Sequence, residues 1–423
     1  MDSSPSCSFF LQVLAPAHVD AVPLTGEFPT VDGFVRFCDN VEMILRIFER
    51  LSIVAAVTSF LLTFPAPARS EPQKNQATTS PFNLPAGSKA RFVLPEERAE
   101  MIRRAHVWHE VDVASMDTLN GPQGDGSYHV GEEVRCEYEE KDPKHPLGGS
   151  HKKFPCWDAS GTRLKIKYDP KANTEVFGEV IGSRIIWTLG FYSDRVYSVD
   201  VRCENCPEDP WISSSTPRST RLFSPATIQK RQHGDLIAES EEDGWALSEL
   251  DQIDQSAGGS SKAEVDAYKL LLVFINHVDN TANQQALMCP AGDAQCKRPI
   301  MYVMDIGGTF GGTPSETSFR NWSRKASIWK DPTRCISDLK GTDPDFSNPK
   351  ISEAGRKFLA DLLSRISEKQ IEDLFRGARF GVLDAQSPPF VGKGGRSRPV
   401  TIDDWVLVFK DKRDQIVKAH CPA

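Results

Sequence analysis

Two aspartates, each closing an apolar run, constrain this chain more than any other feature. Asp279 follows Leu-Leu-Val-Phe-Ile-Asn-His-Val and Asp305 follows Ile-Met-Tyr-Val-Met. Each opens into a polar or Gly-rich loop. Carboxylates so placed project from the ends of packed elements, where they can serve a ligand while the backbone behind them stays fixed. Turn chemistry also puts Asp at such ends, so the pair gains meaning from what precedes it.

Upstream, Arg163-Leu-Lys165-Ile-Lys167 alternates as a strand. Leu164 and Ile166 take one face, Lys165 and Lys167 the other. A helical run from Glu175 to Leu189 follows, stopped by Gly190. On it Glu179 shares a stripe with Val176, Ser183 and Ile186, a costly place for a carboxylate unless a cation meets it. A strand lysine, a helical glutamate and two loop aspartates, in that order, suit phosphoryl transfer. The lysine grips phosphates, the glutamate positions it, one aspartate serves the acceptor hydroxyl and the other holds a divalent metal.

The 423 residues include 39% hydrophobic and 9% aromatic side chains, enough for two ordinary domains or one two-lobed enzyme. A net charge of −8 with no dominant basic patch argues against a nucleic-acid partner. Arg46 and Arg50, the apolar stretch Leu51 to Phe64 and Ala66-Pro-Ala68 have the three parts of an export signal over 43–68. Residues 1–42 then read as an upstream mis-start or a disordered stretch. The apolar stretch is too short to span a bilayer unaided, so no stable membrane span is expected after cleavage, and an extracytoplasmic location, periplasmic or secreted, is. Beyond the signal eight cysteines remain, an even set that suits disulfides. Cys289–Cys296 is the expected bridge across a short loop. Cys203-Glu-Asn-Cys206 reads as a tight disulfide, a redox pair or half a zinc site.

The expected organisation is a linker over 69–88, a strand-rich lobe over 89–206, a Ser/Pro/acidic connection with insertions over 207–262 and a helical lobe over 263–420. Within the last, Ala263–Phe274 reads as an amphipathic helix, and Gln285–Cys289 with Pro299–Met304 as a hairpin.

These stretches resemble the atypical protein-kinase-like superfamily. The echoes are of secretory-pathway kinases of the Golgi casein kinase type, HipA-like kinases and type II phosphatidylinositol 4-kinases. The residues carrying the resemblance are Lys167, Glu179–Phe191, Asn276-His277-Val278-Asp279 and Asp305-Ile-Gly-Gly-Thr-Phe-Gly, within about 130–320. It implies an α+β, two-lobed kinase-like fold: a strand-rich N-lobe with one key helix and a mostly helical C-lobe. It further implies ATP with Mg²⁺ or Mn²⁺ as cofactors and a hydroxyl-bearing acceptor. Under it Asp279, Lys167 and Glu179 are catalytic. Lys167, with Lys165 as alternative, and the Gly148-Gly149 loop bind nucleotide, and Asp305 and Gln284 hold the metal. Asn280, Gln284 and Ile306 depart from the superfamily's usual residues. The alternative is therefore a non-catalytic, pseudokinase-like binding or scaffold protein outside the cytoplasm. Read alone, Asp305-Ile-Gly-Gly-Thr also resembles the phosphate loop of actin-like sugar kinases, but the βαβ context that loop requires is missing.

Overall fold

The alternation in Arg163–Lys167 produces a strand, and that strand organises one half of the molecule. The computed structural model describes residues 89–140, 151–212, 217–238, 244–312, 316–325, 327–341, 346–391 and 397–422. The export signal, the stretch before it, the 69–88 linker and Gly148-Gly149 lie outside them. In chain order the main elements begin with β1 (Ala90–Phe92), α1 (Pro95–Arg103), β2 (Glu133–Tyr138), β3 (Lys153–Asp158), β4 (Arg163–Lys167) and α2 (Glu175–Thr188). Next come β5 (Arg195–Cys206), β6 (Ser219–Lys230), β7 (Gly234–Ala238), α3 (Lys262–Phe274), β8 (Gln285–Pro290) and β9 (Ile300–Val303). The remaining helices are α4 (Phe319–Arg324), α5 (Glu353–Ser364), α6 (Glu368–Gly377), α7 (Phe380–Gln386) and α8 (Ile402–Lys418). The architecture is α+β.

Strands β2-β3-β4-β6-β5 close into a barrel, antiparallel except where β2 meets β5 in parallel. Phe154, Leu164, Ile166, Tyr197, Val199 and Ile228 fill it. Leu164 and Ile166 thus face inward, and Lys165 and Lys167 stand on the outer face as the alternation requires. A second sheet runs β1-β7-β8-β9, its last three strands antiparallel. The expected hairpin is present as β8–β9.

Two expectations need correction. The stretch 207–262, expected as a connection with insertions, supplies β6, central to the barrel, and β7 of the second sheet. Composition hid β6 because Pro225 interrupts it, and a proline usually demotes a strand. Pro225 falls where the β5–β6 register shifts between Val199↔Ala226 and Val201↔Phe223, and the pairing with β4 begins only at Thr227. The second correction is α3. From Val265 to Phe274 it is buried all round rather than amphipathic, because α5, α8 and the turn at 247–252 pack on it. Its start is fixed by a capping box, with Ser261 N–H donating to Glu264 at 2.6 Å.

All eight described cysteines are paired. Cys136–Cys156 staples β2 to β3, Cys203–Cys206 closes the end of β5, Cys289–Cys296 spans the β8–β9 loop, and Cys335–Cys421 ties the tail after α8 to the segment before α5. The expected Cys289–Cys296 bridge is therefore present, and Cys203 with Cys206 forms a disulfide rather than half a zinc site. Among the described residues no helix is long and apolar enough to cross a membrane.

Candidate functional site

Lys167 is the last residue of β4, and its side chain is 1% exposed. An ammonium this deep is tolerated only among opposite charges. Three carboxylates supply them: Nζ lies 3.1 Å from Glu175 Oε2, 3.2 Å from Glu179 Oε1 and 3.3 Å from Asp305 Oδ1. Burial alone would lower the lysine's pKa, but Asp305, Glu179 and Glu175 outweigh it and hold the pKa well above the usual range. Lys167 is a fixed cation.

Its partners differ from one another. Glu179 is fully buried, and neither carboxylate oxygen makes a hydrogen bond among the described residues. Burial pushes its pKa up against the pull of Lys167. Glu175 also feels burial, but Lys167 and His151, whose Nδ1 is 3.0 Å from Glu175 Oε1, draw its pKa down. Asp305 is 27% exposed. There too burial is outweighed, by Lys167, Lys165 and the Gly307 N–H, and the carboxyl sits well below its usual range. The N–H bond is 3.2 Å long and turns the Gly-rich loop back onto the carboxylate.

Helix α2 reaches this loop because two glycines let it. A Cβ on Gly178 would lie 2.6 Å from the Gly307 carbonyl, and one on Gly182 would lie 2.9 Å from Ile306. Thr309 Oγ1 donates to the Gly178 carbonyl at 3.1 Å. The helix carrying Glu179 and the loop carrying Asp305 are therefore packed backbone to backbone.

Asp279, half-buried, lies on a loop laced to the same segment: Val278 N–H donates to Gly308 O at 3.0 Å and Phe310 N–H to Ile275 O at 2.8 Å. Asn276 adopts φ +53° and donates from its side chain to Gly311 O. It also accepts from Lys325 Nζ at 2.6 Å. His277 is fully buried; burial drives its pKa down to about 4, although Asp305 and the Gly308 carbonyl pull the other way. Gln284 meets Asp305's neighbour: Met304 N–H donates to the Gln284 carbonyl at 2.8 Å, one step beyond the Gln285↔Val303 pair.

Lys167, Glu179 and Asp305 thus share one cluster, with the Asp279 loop and Gln284 anchored beside it. Lys165 is placed differently. Its Nζ donates to Gln229 at 2.7 Å, and Gln229 in turn donates to Asp194 at 2.8 Å. Three participants were not expected from the sequence. Glu175 stood in a first helical turn, where an acid usually serves the helix dipole. Lys153 joins only through strand pairing, which sets it opposite Lys167, and His151 lies two residues ahead of that strand. A separate cleft of about 390 Å³ at the far end of α2 is lined by His109, Ser183, Trp187, Tyr192, Asp194 and Gln232. The carboxylates around Lys167 do not line it.

A buried ammonium beside a partly exposed carboxylate can receive a phosphate on one and a divalent cation on the other. No protein-family model matches the chain, and no curated protein matches it. Among solved structures the chain is similar to a Helicobacter pylori proinflammatory kinase, CtkA, with a TM-score of 0.37 and 12% identity, covering 68% of this chain and 97% of that one.

Proposed function

We propose that the chain is an exported phosphotransferase of two-lobed, kinase-like fold that moves the γ-phosphate of ATP to a hydroxyl acceptor with Mg²⁺ or Mn²⁺. The observation that carries this reading is the Lys167 ammonium, within 3.3 Å of both Glu179 and Asp305 although the three come from a strand, a helix and a loop. In it Lys167 grips phosphate oxygens, Glu179 holds the lysine in place, and Asp279 orients the acceptor hydroxyl and takes its proton.

The residues present suit a divalent ion shared with phosphate. Asp305 is ionised and partly exposed, and Gln284, half-buried just ahead of β8, would supply an amide oxygen. Mg²⁺ is commonly held by one or two protein carboxylates together with substrate phosphates. When bound, the ion would neutralise charge on the phosphates. Export is supported by four disulfides in the described residues.

A second reading, a nucleotide-binding scaffold without turnover, is favoured by Asn280. It follows Asp279, is fully buried, and turns its side chain back to donate to the His277 carbonyl at 3.4 Å. Incubation of the purified chain with ATP, Mn²⁺ and hydroxyl-bearing acceptors separates the two. Transfer that disappears in Asp279→Ala, with nucleotide binding retained, supports the enzyme; nucleotide binding without transfer in the wild type supports the scaffold.

A further inference from the structure

Strands β3 and β4 set two lysines directly opposite each other: Lys153 pairs with Lys167 in the ladder, as Phe154 pairs with Ile166 inside the barrel. Side chains at opposed positions share a face, with Cβ atoms about 5 Å apart, and like charges there are destabilising. Both lysines are also buried, Lys153 at 7% exposure and Lys167 at 1%. Lys167 is neutralised by three carboxylates at ion-pair distance. Lys153 feels those same carboxylates only at longer range. It makes no side-chain hydrogen bond or ion pair among the described residues. The residue is nine-tenths buried, yet Nζ is not among the fully buried unpartnered atoms: it reaches solvent on the face that carries Lys167. Two like charges opposed across a ladder are costly, and an anion bound between them would relieve the repulsion.

We propose that Lys153 is a second phosphate-binding cation, so that the Lys153–Lys167 pair grips a polyphosphate at two of its phosphates. The proposal rests on the nucleotide reading above and deepens it. A site with one lysine holds one phosphate strongly; a site with two selects a chain of them. The ligand class is a nucleoside triphosphate or another linear polyphosphate, in preference to a monophosphate or an uncharged nucleoside.

The test titrates the full, disulfide-intact chain with inorganic tripolyphosphate, ATP and adenosine, each with Mn²⁺, by calorimetry. Wild type should bind tripolyphosphate and ATP. Lys153→Gln should weaken both by about tenfold or more, the loss of one charge-assisted contact, and leave adenosine binding unchanged. Lys153→Arg should restore most of the loss. If Lys153→Gln is too unstable to assay, Lys153→Met replaces it under the same criteria. Tripolyphosphate and ATP binding unchanged in the variant overturns the proposal. So does an equal loss for adenosine, which would mark Lys153 as a structural counter-charge. If wild type binds tripolyphosphate in a Lys153-dependent way but gains nothing from the nucleoside, the nucleotide reading falls and the lysine pair stands. If wild type binds neither phosphate ligand, both fall.

Discussion

The Lys167 ammonium stands 3.3 Å from the Asp305 carboxylate, across 138 residues of sequence. The contact joins the end of a barrel strand to the start of a Gly-rich loop, and Glu175 and Glu179 close round the same ammonium. Removing the lysine takes away the one cation that, among the described residues, lies at ion-pair distance from all three carboxylates. Lys167→Met should therefore destabilise the fold by about 3–5 kcal/mol, the usual cost of breaking a buried ion pair from one side. Adding Glu179→Gln should recover part of that. Chemical denaturation of the single and double variants checks it; a Lys167→Met protein as stable as wild type contradicts the ion cluster.

Gly178 is where α2 and the Asp305 loop touch. A Cβ there would meet Thr317 Oγ1 at 2.3 Å and the Gly307 carbonyl at 2.6 Å. Gly178→Ala should push the helix off the loop, costing about 1–3 kcal/mol as overpacking does, and should weaken Mn²⁺–ATP binding with it. Gly381→Ala on α7 meets nothing within 4 Å and should stabilise by about 0.5–1 kcal/mol through helix propensity. Thermal melts and nucleotide titrations on the pair distinguish a local clash from a general intolerance of alanine.

His277 makes stability depend on pH in a defined window. Its folded pKa is about 4, against an ordinary value of 6.5. Above pH 6.5 it is neutral folded and unfolded and contributes nothing. Between 6.5 and 4 the unfolded chain takes up a proton that the buried ring refuses, so stability falls as pH falls, by about 1.4 kcal/mol per pH unit from this group. Asp305 and the Gly308 carbonyl only partly offset the burial. In His277→Leu the difference from wild type should therefore change with pH over this window and flatten above it. Parallel stability curves from pH 7.5 to 4.5 contradict the assignment.

Cys335–Cys421 encloses 86 residues, against 20, 7 and 3 for the other bridges. Loop-closure entropy makes it the most stabilising of the four, at about 4–5 kcal/mol. Cys335→Ser/Cys421→Ser should lower the melting temperature more than Cys203→Ser/Cys206→Ser, measured by calorimetry without reductant. The reverse order contradicts it.

The parts legible in the sequence are those whose placement follows from local periodicity. Two-residue alternation put Lys167 on the outer face of β4, and the helical stripe of Glu179 required a cation that Lys167 meets at 3.2 Å. What local pattern does not encode is pairing between distant segments. Lys153 enters the cluster by β3–β4 register, and Lys165, on the same outer face as Lys167, spends its hydrogen bond on Gln229, 64 residues on. Strand β6 was obscured because its proline is tolerated at a register shift that exists only once β5 is beside it. The close approach at Gly178 and Gly182 depends on the Asp305 loop, which lies more than 120 residues further on and meets the helix only in the fold.

The most direct measurement is the thermal stability of the purified chain with ATP and Mn²⁺, in wild type and Asp305→Ala. Nucleotide and metal together should raise the melting temperature of the wild type, neither should do so alone to the same extent, and Asp305→Ala should lose the joint effect. An Asp305→Ala protein that ATP and Mn²⁺ stabilise as fully as the wild type would contradict the site.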